Sequence, residues 1–291
     1  MTAMPSVPIE KKGAPKRRRK PRSNGNAHRW LLPDRRNALK WCRERNALGI
    51  KTVLDVLGRY SHNAAQAGRS ARAYISSARA IEEQGLNASF AIKLSTLGVG
   101  FDRQLCRRKL LSICAAAAPA RVGIEIDMEA KSLVDFYVDS AVEAADRGYP
   151  VSLALQAYLD RTAEDVENLV NRGLRIRLVK GAYLGDTMDF AEIQQRLESL
   201  ALRLAGTGLP FCIGTHDPEI ISWAKAKLAR AKDTLEFGFL KGLSDETKVS
   251  LAREGWGVAE YVPFGKEGGA YVSRRLQYLR RLKALGRTPA P

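Results

Sequence analysis

The chain is poor in the residues that build most metal centres and disulfide frameworks. Its 291 residues include only four cysteines and three histidines, and neither set has the close spacing of a zinc site. We therefore expect no metal, and we interpret the cysteines as reduced thiols in the core of a cytoplasmic protein. No apolar run reaches the roughly 18 residues of a membrane-spanning helix, and the N-terminus has no apolar signal region.

Acidic residues are also scarce. The chain has 31 Asp and Glu against 48 Lys and Arg, a formal net charge of +17. Residues 1–22 alone contain eight cations and one acidic residue, and their low apolar content predicts a disordered basic tail over 1–27. The cations at 11–22 permit contact with nucleic acid or with an anionic surface at the inner face of the membrane. A solvated tail is the alternative.

From residue 28 to residue 291, short apolar segments alternate with helical segments. The eight apolar segments lie at 49–58, 89–94, 122–127, 151–156, 176–179, 211–215, 235–237 and 257–262. Such alternation within one domain predicts a parallel sheet, and eight units predict a (β/α)8 barrel of the TIM type. A doubly wound open sheet is the alternative, but residues 98–103 do not supply its glycine fingerprint. Within the helical segment after 156, Thr162 is the predicted N-cap and Asp165 takes the capping-box position.

Polar side chains follow five successive predicted strands. They are Lys93, Asp127 with Met128 and Glu129, Gln156, Arg177 with Lys180, and Thr215 with His216. Because the carboxyl ends of barrel strands meet at one face, we expect these side chains to surround a site for an anionic or electron-rich ligand. Each of them alone is equally well explained by a solvated rim, whereas the set favours a site. Gly181 permits the close approach of the backbone to a ligand.

Eight short motifs, in order, resemble those of the proline dehydrogenase family. They are IKLSTLG at 92–98, IDME at 126–129, LQAYL at 155–159, RLVKGAY at 177–183, THD at 215–217, EFGFL at 236–240, YVPFG at 261–265 and AYVSRRL at 270–276. The resemblance implies a barrel flavoprotein that binds FAD without a Rossmann motif. It also implies oxidation of L-proline to 1-pyrroline-5-carboxylate, the first step of proline catabolism, with electrons passing to a quinone or another carrier.

The resemblance also implies roles for individual residues. FAD is expected to contact Met128, Gln156, Arg177, Lys180, Gly181, Ala182, Thr215 and His216. Arg177 is expected beside the flavin N5 atom and, with Asp127, to be catalytic. The substrate is expected between Lys93 and Asp127, with Tyr271 as a wall and with Arg274 and Arg275 on its carboxylate. A planar guanidinium suits bidentate recognition of a carboxylate.

Four positions depart from the family pattern. Asp217 replaces a usual Asn, Gly238 a usual Gln and Ala259 a common Arg, and Tyr278 lies in the turn where a Glu is common. These positions support the expected site and bear on FAD affinity and on the exact substrate. Two alternatives therefore stay open. One is a dehydrogenase of a related cyclic amino acid such as hydroxyproline, and the other is a barrel without turnover that binds nucleic acid or a membrane surface through its tail.

Overall fold

Eight parallel strands close into a barrel, in chain order, in the computed structural model, which describes residues 27–182, 185–284 and 286–291. The strands are β1 (Lys51–Val56), β2 (Ala88–Ile92), β3 (Gly123–Ile126), β4 (Val151–Gln156), β5 (Arg175–Val179), β6 (Phe211–Gly214), β7 (Leu235–Leu240) and β8 (Gly257–Phe264). Strand β1 pairs with both β2 and β8, which closes the ring. The predicted (β/α)8 barrel is confirmed. Of the predicted tail, residues 1–26 lie outside the described residues.

Helices surround the barrel and connect its strands. They are α1 (Ala27–Trp30), α2 (Arg35–Asn46), α3 (Ala64–Glu83), α4 (Arg103–Ala117), α5 (Val134–Asp146), α6 (Thr162–Val170), α7 (Phe190–Gly206), α8 (Pro218–Lys227), α9 (Asp245–Arg253) and α10 (Gly269–Ala284). Several begin at a side chain that accepts a hydrogen bond from the first turn, as N-cap residues do: Asp34, Asn63, Asp102, Asp189 and Asp217. Within the described ranges, no helix is long and apolar enough to cross a membrane.

The predicted cap of α6 is wrong. Thr162 is the first residue of the helix, and the N-cap is Arg161, which makes no side-chain cap bond. The Thr162 hydroxyl instead donates to the carbonyl of Gln156 at 2.6 Å, so it binds the end of β4 rather than the start of its own helix. Asp165 pairs with the Arg161 guanidinium at 2.8 Å.

The main apolar core lies between the strands and the helices. In β5 the side chains of Ile176 and Leu178 are buried in this core. Arg177, which alternates with them, contacts side chains from β3 and β8 across the barrel interior. The predicted inward direction of Arg177 is therefore confirmed. All four cysteines are free and buried, in line with their interpretation as core thiols.

The lower half of the barrel interior contains ion pairs. Lys51 lies 3.4 Å from Glu125 and 3.7 Å from Glu236, and Glu236 also pairs with Arg175 at 2.5 Å. Opposite charges in this partly buried layer compensate one another, since a lone buried charge is costly. The carboxyl ends of the strands therefore rest on a layer whose charges are already paired.

Candidate active site

Three of the predicted site residues form one network at the carboxyl end of the barrel, together with Asp55 and Tyr261. The Nζ atom of Lys93 lies 2.6 Å from Asp55 Oδ2, 2.7 Å from the Tyr261 hydroxyl and 3.2 Å from Asp127 Oδ2. The Tyr261 hydroxyl donates to Asp127 Oδ2 at 2.6 Å, and the Arg177 guanidinium donates to Asp127 Oδ1. Side chains from five parts of the chain thus fix one another.

Three members of this network, Asp127, Arg177 and Lys93, are held in their charged forms at neutral pH. Burial alone would raise the pKa of Asp127, but Arg177 and Lys93 lower it to about 2. Burial also opposes the charge of Arg177, yet Asp127 and Glu125 hold its pKa above the usual value. The pKa of Lys93 is raised in the same way by Asp55 and Asp127, against the effect of burial. Asp127 is therefore a permanent anion that orients its neighbours, and it is too weak a base to take a proton at pH 7.

Arg275 is a buried cation on the helix that covers this end of the barrel. Its side chain is 9% exposed in relative terms, and its Nη2 atom donates to the Tyr271 hydroxyl at 3.1 Å. Within the part of the chain that the structure describes, no carboxylate pairs with it, and its Nε atom has no partner. Arg274, the next residue along α10, is exposed. A buried guanidinium without an acid has the chemistry to bind an anion.

The loops after β5 and β6 meet through a second group of charges. Lys180 Nζ donates to Asp217 Oδ2 at 2.8 Å, and Arg287 donates to the same oxygen at 3.2 Å. Gly181 has a φ of +134°, and a Cβ atom there would lie 1.8 Å from Cε1 of Tyr158. No other residue fits this position, so the backbone after β5 can follow this path only with glycine. The neighbouring Ala182 is exposed.

His216 is a buried neutral imidazole. Its Nε2 atom accepts from the backbone N–H of Leu240 at 3.2 Å, so its Nδ1 atom carries the proton and donates to the Ser244 hydroxyl at 3.1 Å. Burial lowers the pKa of His216 well below its usual value, and Arg275 adds repulsion. Thr215, also buried, accepts from the backbone N–H of Asp217 at 3.1 Å. The loop after β6 is therefore held rigidly.

The residues present fit a flavin. The Gln156 side chain is 3% exposed, and its Oε1 atom has no hydrogen-bond partner among the described residues. An acceptor buried in this state suits a ligand that brings an N–H, as a flavin ring does. Met128, on the neighbouring strand end, is buried in the apolar core.

A cavity of about 120 Å³ enters the barrel beside this site, between Arg177, Thr215, His216 and Tyr261. Gly238 also lines it, and a Cβ atom at this position would lie 2.8 Å from the Sγ atom of Cys212. The Gln that is usual in the family does not fit here, because Cys212 fills that space. The glycine that replaces the usual Gln at position 238 is therefore accompanied by Cys212, which occupies the adjacent space.

Several residues of the site were not predicted from the sequence. Asp55 lies inside the first apolar segment, where a single acid among Val and Leu was a usable signal. Tyr261 lies in the motif YVPFG, but the motif alone does not show that its hydroxyl reaches Asp127 across the barrel. Arg287 had no signal of this kind, because it lies beyond α10 and reaches Asp217 from 70 positions away.

Comparisons with known proteins agree with these observations. The family model described as proline dehydrogenase matches residues 38–199. Proline dehydrogenase 2 of Bacillus subtilis (strain 168) is 29% identical over 251 residues, which cover 84% of this chain and 82% of that protein. Proline dehydrogenase of Deinococcus radiodurans is 31% identical over 240 residues, which cover 78% of this chain and 77% of the relative.

Solved structures show the same fold at lower identity. Proline utilization A from Bdellovibrio bacteriovorus, inactivated by N-propargylglycine, superposes with a TM-score of 0.81 and 19% identity over 87% of this chain. Proline utilization A from Bradyrhizobium japonicum gives 0.74 and 20% over 85%. This chain spans about a third of the length of each, 32% and 30%, and at this identity the likeness establishes the barrel.

Proposed function

This chain belongs to the proline dehydrogenase family, and on that premise we propose that it uses FAD to oxidise L-proline to 1-pyrroline-5-carboxylate. The proposal rests on Arg275. Its guanidinium is buried, has no acidic partner among the described residues and donates to the Tyr271 hydroxyl. A small amino acid supplies the carboxylate that this cation lacks. Arg274, which is exposed, approaches the same carboxylate from the solvent side in this proposal.

The rest of the substrate site supports a small, apolar ring. Tyr261 and Tyr271 belong to one buried cluster with Val53, Ala91 and Ala259. Most of this wall is aliphatic or aromatic, and a ring hydroxyl that lost water there without a partner would cost about 1–3 kcal/mol. We therefore favour L-proline over hydroxyproline. Ala259, where an Arg is common in the family, contributes to this apolar wall.

Other side chains are proposed to hold the cofactor. Gln156 accepts a hydrogen bond from the ring, and Met128 packs beside it. Lys180, Gly181, Ala182, Thr215 and His216 are proposed to hold the ribityl and phosphate groups. FAD, when bound, supplies the acceptor for the hydride that leaves the proline ring.

Arg177 is proposed as the catalytic cation of this site. Asp127 and Glu125 fix its guanidinium and keep it charged, so it stabilises negative charge nearby without reorganising. Asp127 has a pKa of about 2 and does not take the proton of the substrate amine. That proton passes to solvent, and the nitrogen lone pair then forms the C=N bond as the hydride leaves.

We also propose an electron acceptor, a cellular location and a role for the N-terminal residues. Electrons leave for a quinone or another carrier, and the enzyme is cytoplasmic. Residues 11–22 are proposed to contact an anionic membrane surface or nucleic acid, with a solvated tail as the alternative. The domain division, a basic tail at 1–27 and a catalytic barrel at 28–291, is part of the same proposal.

Purified protein tests this function directly. The flavin released by heat should be FAD by chromatography, and L-proline should yield a product two hydrogens lighter while a dye is reduced. Protein that binds no FAD, even when FAD is added, would overturn the proposal and favour a binding protein. Faster turnover of hydroxyproline than of proline would assign the chain to the sister activity instead.

A further inference from the structure

Residues 29–32, which run from the end of α1 toward α2, form a segment that is bound to the carboxyl end of the barrel. The backbone N–H of Leu32 donates to the carbonyl of Pro263, and the N–H of Gly265 donates to the carbonyl of Leu32, both at 2.9 Å. The Arg29 guanidinium donates to the carbonyl of Gly242 at 2.8 Å. The segment is thus fixed to the ends of β7 and β8.

Two glycines make room for this segment. A Cβ atom at Gly242 would lie 2.4 Å from the carbonyl oxygen of Arg29, and a Cβ atom at Gly268 would lie 2.4 Å from a methyl group of Leu31. Gly268 immediately precedes α10, the helix that carries Tyr271 and Arg275. The segment therefore packs against both the barrel and the start of the covering helix.

Trp30 extends from this segment into the apolar wall of the proposed substrate site. Its side chain is 6% exposed. It belongs to one buried cluster with Val53, Ala91, Ala259, Tyr261 and Tyr271. The tyrosines connect this cluster to the polar half of the site, since Tyr261 donates to Asp127 and Tyr271 accepts from Arg275.

The indole N–H of Trp30 is buried and has no hydrogen-bond partner in the described part of the chain. Buried Trp N–H groups usually find an acceptor, as Trp41 does by donating to Glu260 at 2.6 Å. A donor left without an acceptor destabilises the fold. Because this donor belongs to the same buried cluster as two site tyrosines, a ligand bound in the site is a source of the acceptor that it lacks.

We propose that Trp30 is a substrate-binding residue whose indole N–H donates to the substrate carboxylate and whose ring closes the apolar wall. The inference rests on the proposed function, in which the ligand is a cyclic amino acid. The carboxylate is the group with the strongest acceptors in such a molecule. Arg275, the cation proposed to bind it, donates to Tyr271, which shares a cluster with Trp30. A neutral and a charged donor then bind one anion.

Binding of an inert analogue to the FAD-loaded protein tests this role. Tetrahydrofuran-2-carboxylate keeps the ring and the carboxylate, but its ring oxygen cannot form the imine. Trp30→Phe should weaken its binding roughly 10- to 100-fold, the effect of losing one hydrogen bond to a charged acceptor, as measured by the change in flavin absorbance. Trp223→Phe, on α8, is the matched control and should leave the affinity unchanged.

The outcomes separate this inference from the proposed function. If wild type and Trp30→Phe bind the analogue equally well, Trp30 is not a substrate-binding residue, while the proposed function stands. If the wild-type protein binds neither FAD nor the analogue, the proposed function fails and this inference fails with it. If Trp30→Phe weakens only the binding of an analogue that carries a ring hydroxyl, the indole N–H does not bind the carboxylate and the proposal is wrong.

A second measurement does not depend on the folding of the Trp30 variant. The indole N–H groups of the four tryptophans give separate nitrogen-15 NMR signals, which Trp41→Phe, Trp223→Phe and Trp256→Phe assign by elimination. The Trp30 signal should move downfield when the analogue binds, because its N–H gains a charged acceptor. A signal that stays in place on saturation overturns the proposal.

Discussion

The Nζ atom of Lys180 lies 2.8 Å from the Oδ2 atom of Asp217. The family usually has Asn at the second of these positions, and an additional acid beside a phosphate site is unfavourable on its own. In this chain Asp217 also accepts from Arg287 at 3.2 Å and from the backbone N–H of Glu219 at 3.0 Å. Two cations therefore compensate the charge of Asp217, which also caps α8. One of them, Lys180, is proposed to bind the cofactor, so Asp217 competes with the cofactor for this cation.

Asp217→Asn should tighten FAD binding. Asn still caps a helix, but it no longer neutralises Lys180 and Arg287, which become available to a phosphate. We expect a gain of about 1 kcal/mol, roughly fivefold in Kd, that shrinks as salt rises. Fluorescence titration of the flavin-free protein with FAD measures it. Weaker binding in the variant would mean that Asp217 positions Lys180 rather than competing for it.

Arg275→Met should weaken proline binding and raise thermal stability. The change removes the proposed carboxylate contact, which is worth about 2–3 kcal/mol, so KM should rise roughly 30-fold or more. It also removes a buried cation that has no acid partner within the described residues, so the Tm of the substrate-free protein should increase. Arg274→Met, at the exposed neighbour, is the control with a smaller effect on KM. An unchanged KM in both variants would contradict the carboxylate site.

His216 should make the protein sensitive to mild acid. Burial lowers the pKa of His216 in the folded state, so in mild acid the unfolded chain binds a proton that the folded chain does not bind. The contribution of His216 to the free energy of unfolding is therefore fully present above pH 6.5, the ordinary pKa of histidine. It is lost as the pH falls toward the pKa of the folded state, by up to about 1.4 kcal/mol per pH unit. His216→Gln keeps a donor and an acceptor and should flatten this slope in denaturant unfolding between pH 7 and 5. Equal slopes would contradict a neutral His216.

Two truncations should behave differently. Removal of residues 1–27 should leave activity and Tm nearly unchanged and should weaken any binding to anionic vesicles or nucleic acid in a salt-dependent way. Removal of residues 1–32 also deletes Trp30 and the backbone bonds of Leu32, so both Tm and analogue affinity should fall. If the two truncated proteins had the same Tm and the same analogue affinity, the boundary at residue 27 and the proposed role of residues 29–32 would both be wrong.

The sequence was informative where the signal is local. Alternation of apolar and polar residues in β5 correctly predicted that Arg177 points into the barrel, because side-chain direction in a strand follows from a period of two. The repeated strand–helix pattern predicted the barrel for the same reason. Both inferences need only neighbouring residues.

Pairing between distant residues could not be predicted in this way. Tyr261 and Asp127 are 134 positions apart, and only the closed ring brings them together. The adjacent Arg274 and Arg275 differ because tertiary packing decides which face of α10 is covered. The error at Thr162 has a similar origin, since the hydroxyl is taken by the end of β4 rather than by its own helix.

Anaerobic reduction of the bound flavin by L-proline is the decisive test of the proposed activity. On mixing in a stopped-flow spectrometer, proline should bleach the flavin absorbance of the wild-type protein. Arg177→Met should fold, as circular dichroism checks, and retain FAD, but should bleach about 10²-fold more slowly, because one fixed charge is lost. A wild-type flavin that proline leaves oxidised would contradict the proposed activity, and an Arg177→Met protein that bleaches at the wild-type rate would contradict the catalytic role of Arg177.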